Sequence, residues 1–272
     1  SSSIFCQAET LRRAGRAAAP GVIGISFVGA EGTAADEQRF LREIEQAYGV
    51  SVGRIPLEPL VGVVRGAEDQ VRAVEAPFVD YMWGVTHEVQ VRAREAGARV
   101  LLTGLWGDQM LFSAAYLADL FRRLDFGQIL RHTRTYQRFF GVDGTRELKR
   151  GLVLDIARHY VPRAVAPLLK SLRRRIFRPE RPRPWFSDSF RRRALRFANR
   201  PVWFGDGFHS VHARSLYLQA RSKYHVHCME WENKIAALHG LDAALPFLDR
   251  DLIGFLMAAP GEIQNRDGVP RA

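Results

Sequence analysis

The stretch Arg99-Val100-Leu101-Leu102-Thr103-Gly104-Leu105-Trp106-Gly107-Asp108 decides the fold. A short apolar run with no polar alternation suits a strand buried on both faces, the kind found in parallel sheets. It runs straight into a glycine-spaced turn that ends on a carboxylate. In an open parallel sheet, ligands bind beyond the carboxyl ends of the strands, where helix N-termini and free backbone N–H groups converge. Gly104 and Gly107 let the backbone approach a ligand closely. Asp108 has two readings at this stage: it holds a Mg²⁺ that neutralises phosphate charge, or it caps the helix that follows.

Upstream, strand and helix alternate. Ser3 to Ala14 has helical apolar spacing, and Pro20-Gly21 breaks it. Val22 to Val28 is a second buried-strand pattern, and Gly29 to Ala35 is loop. Asp36 is positioned to cap a helix whose apolar face is Phe40, Leu41, Ile44, Ala47 and Tyr48, with Gly49 ending it. Val50 to Leu57 reads as a strand, and Phe78 to Ala96 as a helix stopped by Gly97. This alternation predicts a doubly wound parallel sheet, an α/β fold.

Downstream of about Tyr116 the pattern turns helical. The spacing predicts helix from about Ser210 to Leu238, and Pro246-Phe247-Leu248-Asp249 leads into a last helix. Leu252, Phe255, Leu256 and Ala259 form its apolar face, with Asp249 as cap and Pro260 as stop. The expected division is an α/β core over residues 1–115 and a mainly helical remainder over 116–272.

The charge is uneven. Forty basic residues face 29 acidic ones, a net +11. Thirteen of the basic residues fall between Arg163 and Arg200, against Glu180 and Asp188 alone, so this stretch carries the whole imbalance. Its Pro/Arg-rich centre, Arg178 to Trp185, cannot be regular helix. A solvated basic surface, or one facing an acidic partner, explains the stretch better than nucleic-acid readout, because no helix-turn-helix, zinc or aromatic RNA-binding signature accompanies it. No apolar run nears the ~20 residues of a membrane-spanning helix. Two cysteines, Cys6 and Cys228, exclude a disulfide-stapled fold and favour a reducing compartment. His225 and His227 stand two apart and face opposite ways on a helix; His209 and His212 lack a third ligand at a useful spacing. Asp36-Glu37 either approaches a ligand or sits favourably against a helix dipole.

Residues 100–109, together with Leu241-Asp242-Ala243-Ala244-Leu245-Pro246-Phe247-Leu248-Asp249-Arg250, resemble the synthetase domain of the asparagine synthetase family. Members there show Ser-Gly-x-Gly-(Gly/Ala)-Asp-Glu and, later, Glu-x-Arg-x-Pro-Phe-Leu-Asp. Ser1-Ser2-Ser3-Ile4 looks like the tail of that family's pyrophosphate loop, and Ser26 to Gly29, Asp36-Glu37 and Asp267 to Arg271 follow in the family's order. The chain is accordingly expected to be a piece of a longer protein, inactive alone. The resemblance implies an adenine-nucleotide α-hydrolase-like, Rossmann-like sheet. The implied reaction activates a carboxylate with ATP and Mg²⁺ as an acyl-adenylate, releases pyrophosphate and forms an amide. Ser1 and Ser2 would line the phosphate loop, Val28, Thr103 and Gly104 the adenosine pocket, Asp108 would hold Mg²⁺, and Arg271 would assist pyrophosphate departure.

The departures are specific. Leu105 stands where the family has Glu, Gln109 where it has its final Glu, Ala244 where it has Arg, and Arg271 where it has Lys. Arginine keeps a charge suited to phosphate but cannot donate a proton. These changes point away from free aspartate as the certain acyl substrate and leave open a precursor peptide, as in lasso-peptide macrocyclases, or an inactive nucleotide-binding relative. A glutaminase domain would lie upstream, outside this chain, and the expected location is the cytoplasm.

Overall fold

The computed structural model describes residues 2–17, 21–33, 36–62, 67–77, 81–111, 113–160, 186–198, 207–208 and 210–266. The described residues fall into two compact units, one within Ser1–Ser113 and Ser215–Ala259, the other within Ala114–Arg214 and Pro260–Pro270.

The first unit opens with α1 (Ser2–Arg13), followed by β1 (Gly24–Val28), α2 (Gln38–Tyr48) and β2 (Val52–Pro56). β1 and β2 pair in parallel, Gly24 opposite Val52 and Val28 opposite Pro56. Gly49 ends α2 at φ +59, a left-handed backbone that costs glycine nothing. Asp36 caps α2 although Glu37 holds the formal boundary: its Oδ1 accepts from Gln38 N and its Oδ2 from Gly32 N, both at 3.1 Å. These backbone donors, Gly32 first, hold its carboxyl below the usual range. Of the expected apolar face, Leu41 is buried but Phe40 is exposed.

After a short 3₁₀ turn (Glu58–Leu60) come α3 (Ala67–Val74), which the sequence pattern did not announce, and α4 (Trp83–Glu95). Trp83 Nε1 donates to Gly62 O at 2.8 Å and anchors that loop. β3 (Val100–Leu102) leads into α5 (Gly107–Leu111). The single helix expected over 210–238 is two: α9 (Val211–Ala220) and α10 (Lys223–Leu238). Ser222 makes the break, its extended backbone (φ −65, ψ 141) turning the chain while its Oγ accepts from His225 N at 3.1 Å. α10 is followed by β4 (Asp242–Ala244), which pairs in parallel with β3, Val100 opposite Asp242 and Leu102 opposite Ala244. A second 3₁₀ turn (Pro246–Leu248) precedes α11 (Arg250–Ala258). Asp249 Oδ1 accepts from Asp251 N (2.9 Å) and Leu252 N (3.0 Å), the expected cap. Phe255 lies outside the core, 68% exposed, and Ile253 takes its expected place beside Leu252 and Leu256.

The result is a mixed α/β unit, with a correction to the expected single sheet. Among the described residues, the four strands form two separate parallel pairs, β1–β2 and β3–β4. Ile25 of β1 and Leu101 of β3 both pack against Ala93, Ala236 and Leu241, so side chains unite what no ladder joins.

The second unit is helical: α6 (Tyr116–Arg122), α7 (Phe126–Tyr160), interrupted at Gly141 (φ +70), α8 (Asp188–Ala198) and α12 (Gly261–Gln264). Tyr116, Leu117, Leu120 and Leu148 form its core. Asp119 of α6 caps the start of α9 across space, accepting from Ser210 Oγ, Val211 N and His212 N at 2.8–2.9 Å.

Candidate functional site

The two stretches that decided the sequence reading meet in space. The β3–β4 ladder continues past β3 as Thr103 N donates to Ala244 O at 3.0 Å. Thr103 Oγ1 then accepts from Leu105 N at 3.3 Å, and Gly107 N donates to Gly104 O at 3.2 Å, closing the turn. Gly107 lies against the ring of Phe247: a Cβ at this position would stand 2.8 Å from Phe247 Cε2 and 2.9 Å from Cδ2. Only glycine allows the approach. The turn from 103 to 108 is thereby seated on Pro246-Phe247-Leu248.

Trp106 is the residue that sequence reasoning passed over. It occupies the second glycine of the family pattern, and its φ is +70. A bulky residue in the left-handed region costs about 1–2 kcal/mol, so something must hold it there. The indole is 95% buried, in a cluster with Met110, Leu216 and Leu256. It lies against His225, ring centroids 3.7 Å apart and planes tilted by 36°, with Tyr224 at its edge (6.3 Å). Burying an aromatic of this size returns more than the backbone strain costs. His225 in turn donates from Nδ1 to Gln219 O, and burial lowers its pKa. Leu105 packs against the same cluster. The signal for Trp106 was legible: laid against the family pattern, a tryptophan replaces a glycine.

The expected site residues fall on three elements. Thr103 and Gly104, half-buried, and Asp108, exposed, share the turn; Asp108 is the second residue of α5 rather than its cap. Val28 ends β1, where its carbonyl accepts from Leu57 N at 3.0 Å. Ser2 begins α1, exposed, one turn before Phe5, which packs over Gly24 of β1. Ser1 and Arg271 lie outside the described residues, as do His209 and the Arg-rich connector from 178 to 185. Cys6 and Cys228 are not joined in a disulfide, and both are half-buried.

No cluster of three His, Cys, Asp or Glu side chains suited to a metal occurs among the described residues. Mg²⁺ does not require one. It keeps several waters and is held through one or two carboxylates together with substrate phosphates. The exposed Asp108 carboxylate fits that donor set.

The sequence model of the family described as asparagine synthase matches residues 1–272, the whole chain. The chain belongs to the asparagine synthase family. No curated protein and no solved structure matches it significantly. Membership of the asparagine synthase family makes it a ligase-type protein of an ATP-using family. In this member the family's two motifs are docked on each other through the β3–β4 ladder and the Gly107–Phe247 contact. No helix among the described residues is long and apolar enough to cross a membrane.

Proposed function

We propose that the protein forms amide bonds at the expense of ATP, activating a carboxylate by adenylation, releasing pyrophosphate and passing the acyl group to ammonia or an amine. The observation that carries this reading is the docking of residues 100–109 onto 241–250, which fixes the glycine-spaced turn beside an exposed carboxylate. Thr103, Gly104 and Val28 receive the adenosine, Ser1 and Ser2 the phosphates, and Arg271 the departing pyrophosphate. Asp108 holds Mg²⁺, which supplies charge neutralisation as pyrophosphate leaves. Backbone donors set in place before reaction provide the remaining stabilisation. Aspartate is the family's default carboxylate, ammonia from a glutaminase domain its default amine, and two cysteines outside any disulfide suit the cytoplasm.

One observation favours a second reading. Leu105, in place of the family's Glu, packs into the Trp106 cluster. The turn therefore presents a methyl-bearing side chain where the family presents an acid. That favours a different acyl substrate, such as the side chain of a precursor peptide, or nucleotide binding without turnover.

Incubating the full-length gene product with ATP and Mg²⁺ separates the readings, with AMP and pyrophosphate followed by mass spectrometry. Release with aspartate and ammonium supports the default; release only with acidic peptides supports the second substrate class. ATP binding without release with any acceptor identifies a silent relative, and no ATP binding refutes the proposal.

A further inference from the structure

The first half of α7 carries an unusual solvent face. Arg131, Arg134 and Arg138 are exposed and stand three and four residues apart, the spacing that aligns side chains along one helical face. From Phe126 to Val142 the chain contains no carboxylate. Some exposed arginines on other helices are paired within their own helix: Arg39 with Glu43, Arg72 with Glu68 and Arg92 with Glu88. Arg134 and Arg138 have no such partner among the described residues.

The stripe is also concave. The three arginines, with Gly127, Leu130 and Thr135, line an open trough of about 370 Å³. Gly127 leaves its floor clear, since the nearest atom to a Cβ there would be Asp125 Oδ1 at 3.8 Å. Leu130 at 51% and Phe126 at 56% exposure, one turn apart, place apolar surface beside the charge.

We propose that this trough binds an acidic polypeptide segment with apolar side chains among its carboxylates. Guanidinium groups take carboxylates as planar, two-point partners. Leu130 and Phe126 offer the apolar contact that anchors a bound peptide. A nucleic-acid interface is more polar than this, and a lipid surface presents a plane rather than a strand to fill a trough. Residues 114–214 carry 23 basic and 8 acidic side chains, a field that speeds encounter with a polyanion. This inference is independent of the proposed reaction.

The test uses the full-length protein and a fluorescent peptide of repeating Glu-Glu-Leu, followed by anisotropy at low and physiological salt. A labelled single-stranded oligonucleotide and phosphatidylglycerol vesicles form the other two arms. The peptide is expected to bind tightest. Arg134→Glu with Arg138→Glu should weaken it about tenfold or more, and Leu130→Asp should weaken it about fivefold. Reversal of two arginines on α8, Arg192→Glu with Arg193→Glu, matches the charge change and should leave peptide affinity within about twofold. A Lys-Lys-Leu peptide should gain affinity for the α7 double variant, which shows that the variant remains folded. Equal losses from the α7 and α8 reversals, an unchanged peptide affinity, tighter binding of oligonucleotide or vesicles, or no binding of any probe would each overturn the proposal.

Discussion

The two units carry opposite charge. Residues 1–113 with 215–259 and Arg271 hold 16 basic and 19 acidic side chains, whereas residues 114–214 with 260–270 hold 24 and 10. The first unit holds the family's motifs and is slightly acidic; the second is helical and strongly basic. In the first, several arginines are held by carboxylates. Glu9, almost fully buried, accepts from Arg12 and Arg13 at 2.7–2.8 Å, which holds its pKa near 2, and Glu45 is held near 2 mainly by Arg54. In the second, Arg122, Arg123, Arg146 and Arg191 are paired with carboxylates, while Arg134 and Arg138 of α7 are exposed. Under the proposed function, binding at the β3–α5 turn rests on the turn's backbone and one carboxylate, and the basic residues of the second unit lie outside it.

The sharpest way to break this contrast is to remove the turn's carboxylate. Asp108→Asn should lower AMP and pyrophosphate formation by about 10³-fold while leaving the melting temperature unchanged, because the side chain is exposed. Substitutions of the α7 arginines should do the reverse, sparing turnover. Loss of melting temperature in Asp108→Asn would make its role structural and remove the distinction.

Trp106→Gly tests whether the turn is built by packing or by backbone preference. Losing the buried indole costs about 3–5 kcal/mol, and relieving the left-handed backbone returns about 1–2, so a net loss of about 2–3 kcal/mol is expected in denaturant unfolding. Trp83→Ala has no such strain to relieve and should cost more. Equal losses would mean that the Trp106 backbone is not strained.

Glu232 sharpens the picture of the first unit's polar interior. It is 95% buried, and Gln90 Nε2 donates to it at 3.1 Å. Burial lifts its pKa from 4.5 to about 7, against the smaller opposing effect of the Gln90 hydrogen bond. The folded state thus binds the proton more tightly than the unfolded state. The resulting stability is full below about pH 4.5 and is lost as pH rises through about 7. Glu232→Gln should flatten that window in melts across pH 4–8 and stabilise the protein at pH 8 by about 2 kcal/mol. Its amide can also meet Gln90 Oε1, which has no hydrogen-bond partner among the described residues.

The smallest effect belongs to the second unit. Asp119→Ala removes three hydrogen bonds to Ser210, Val211 and His212 and should cost about 1–2 kcal/mol. Turnover, corrected for the folded fraction, should not change.

How much of this was legible depends on how local each signal is. Gly49 and Asp249 announced the end of α2 and the start of α11, because glycine's φ and a carboxylate's reach act within one turn. The two family motifs were legible as marks of the family, and the structure seats one on the other. β4 was not: Asp242-Ala243-Ala244 has no β-branched residue and becomes a strand only by pairing with β3. The break at Ser222 was hidden by apolar spacing that continues on both sides. The separation of β1–β2 from β3–β4 is a matter of pairing partners, which strand propensity does not encode. Trp106 is instructive: the family pattern marks its place as a glycine, nothing in an aromatic residue's own preferences signals a positive φ, and its burial among Met110, Leu216, Leu256 and His225 accounts for it.

The most direct measurement of the central claim uses a carboxylate substrate labelled with ¹⁸O. Adenylation joins a carboxylate oxygen to the α-phosphorus of ATP as pyrophosphate leaves, and attack by the amine then breaks the acyl–oxygen bond. One labelled oxygen must therefore end in AMP. Label in AMP, matched one for one by amide and pyrophosphate, is the predicted result. Label in inorganic phosphate alongside ADP, or label retained in the carboxylate despite ATP consumption, would contradict it.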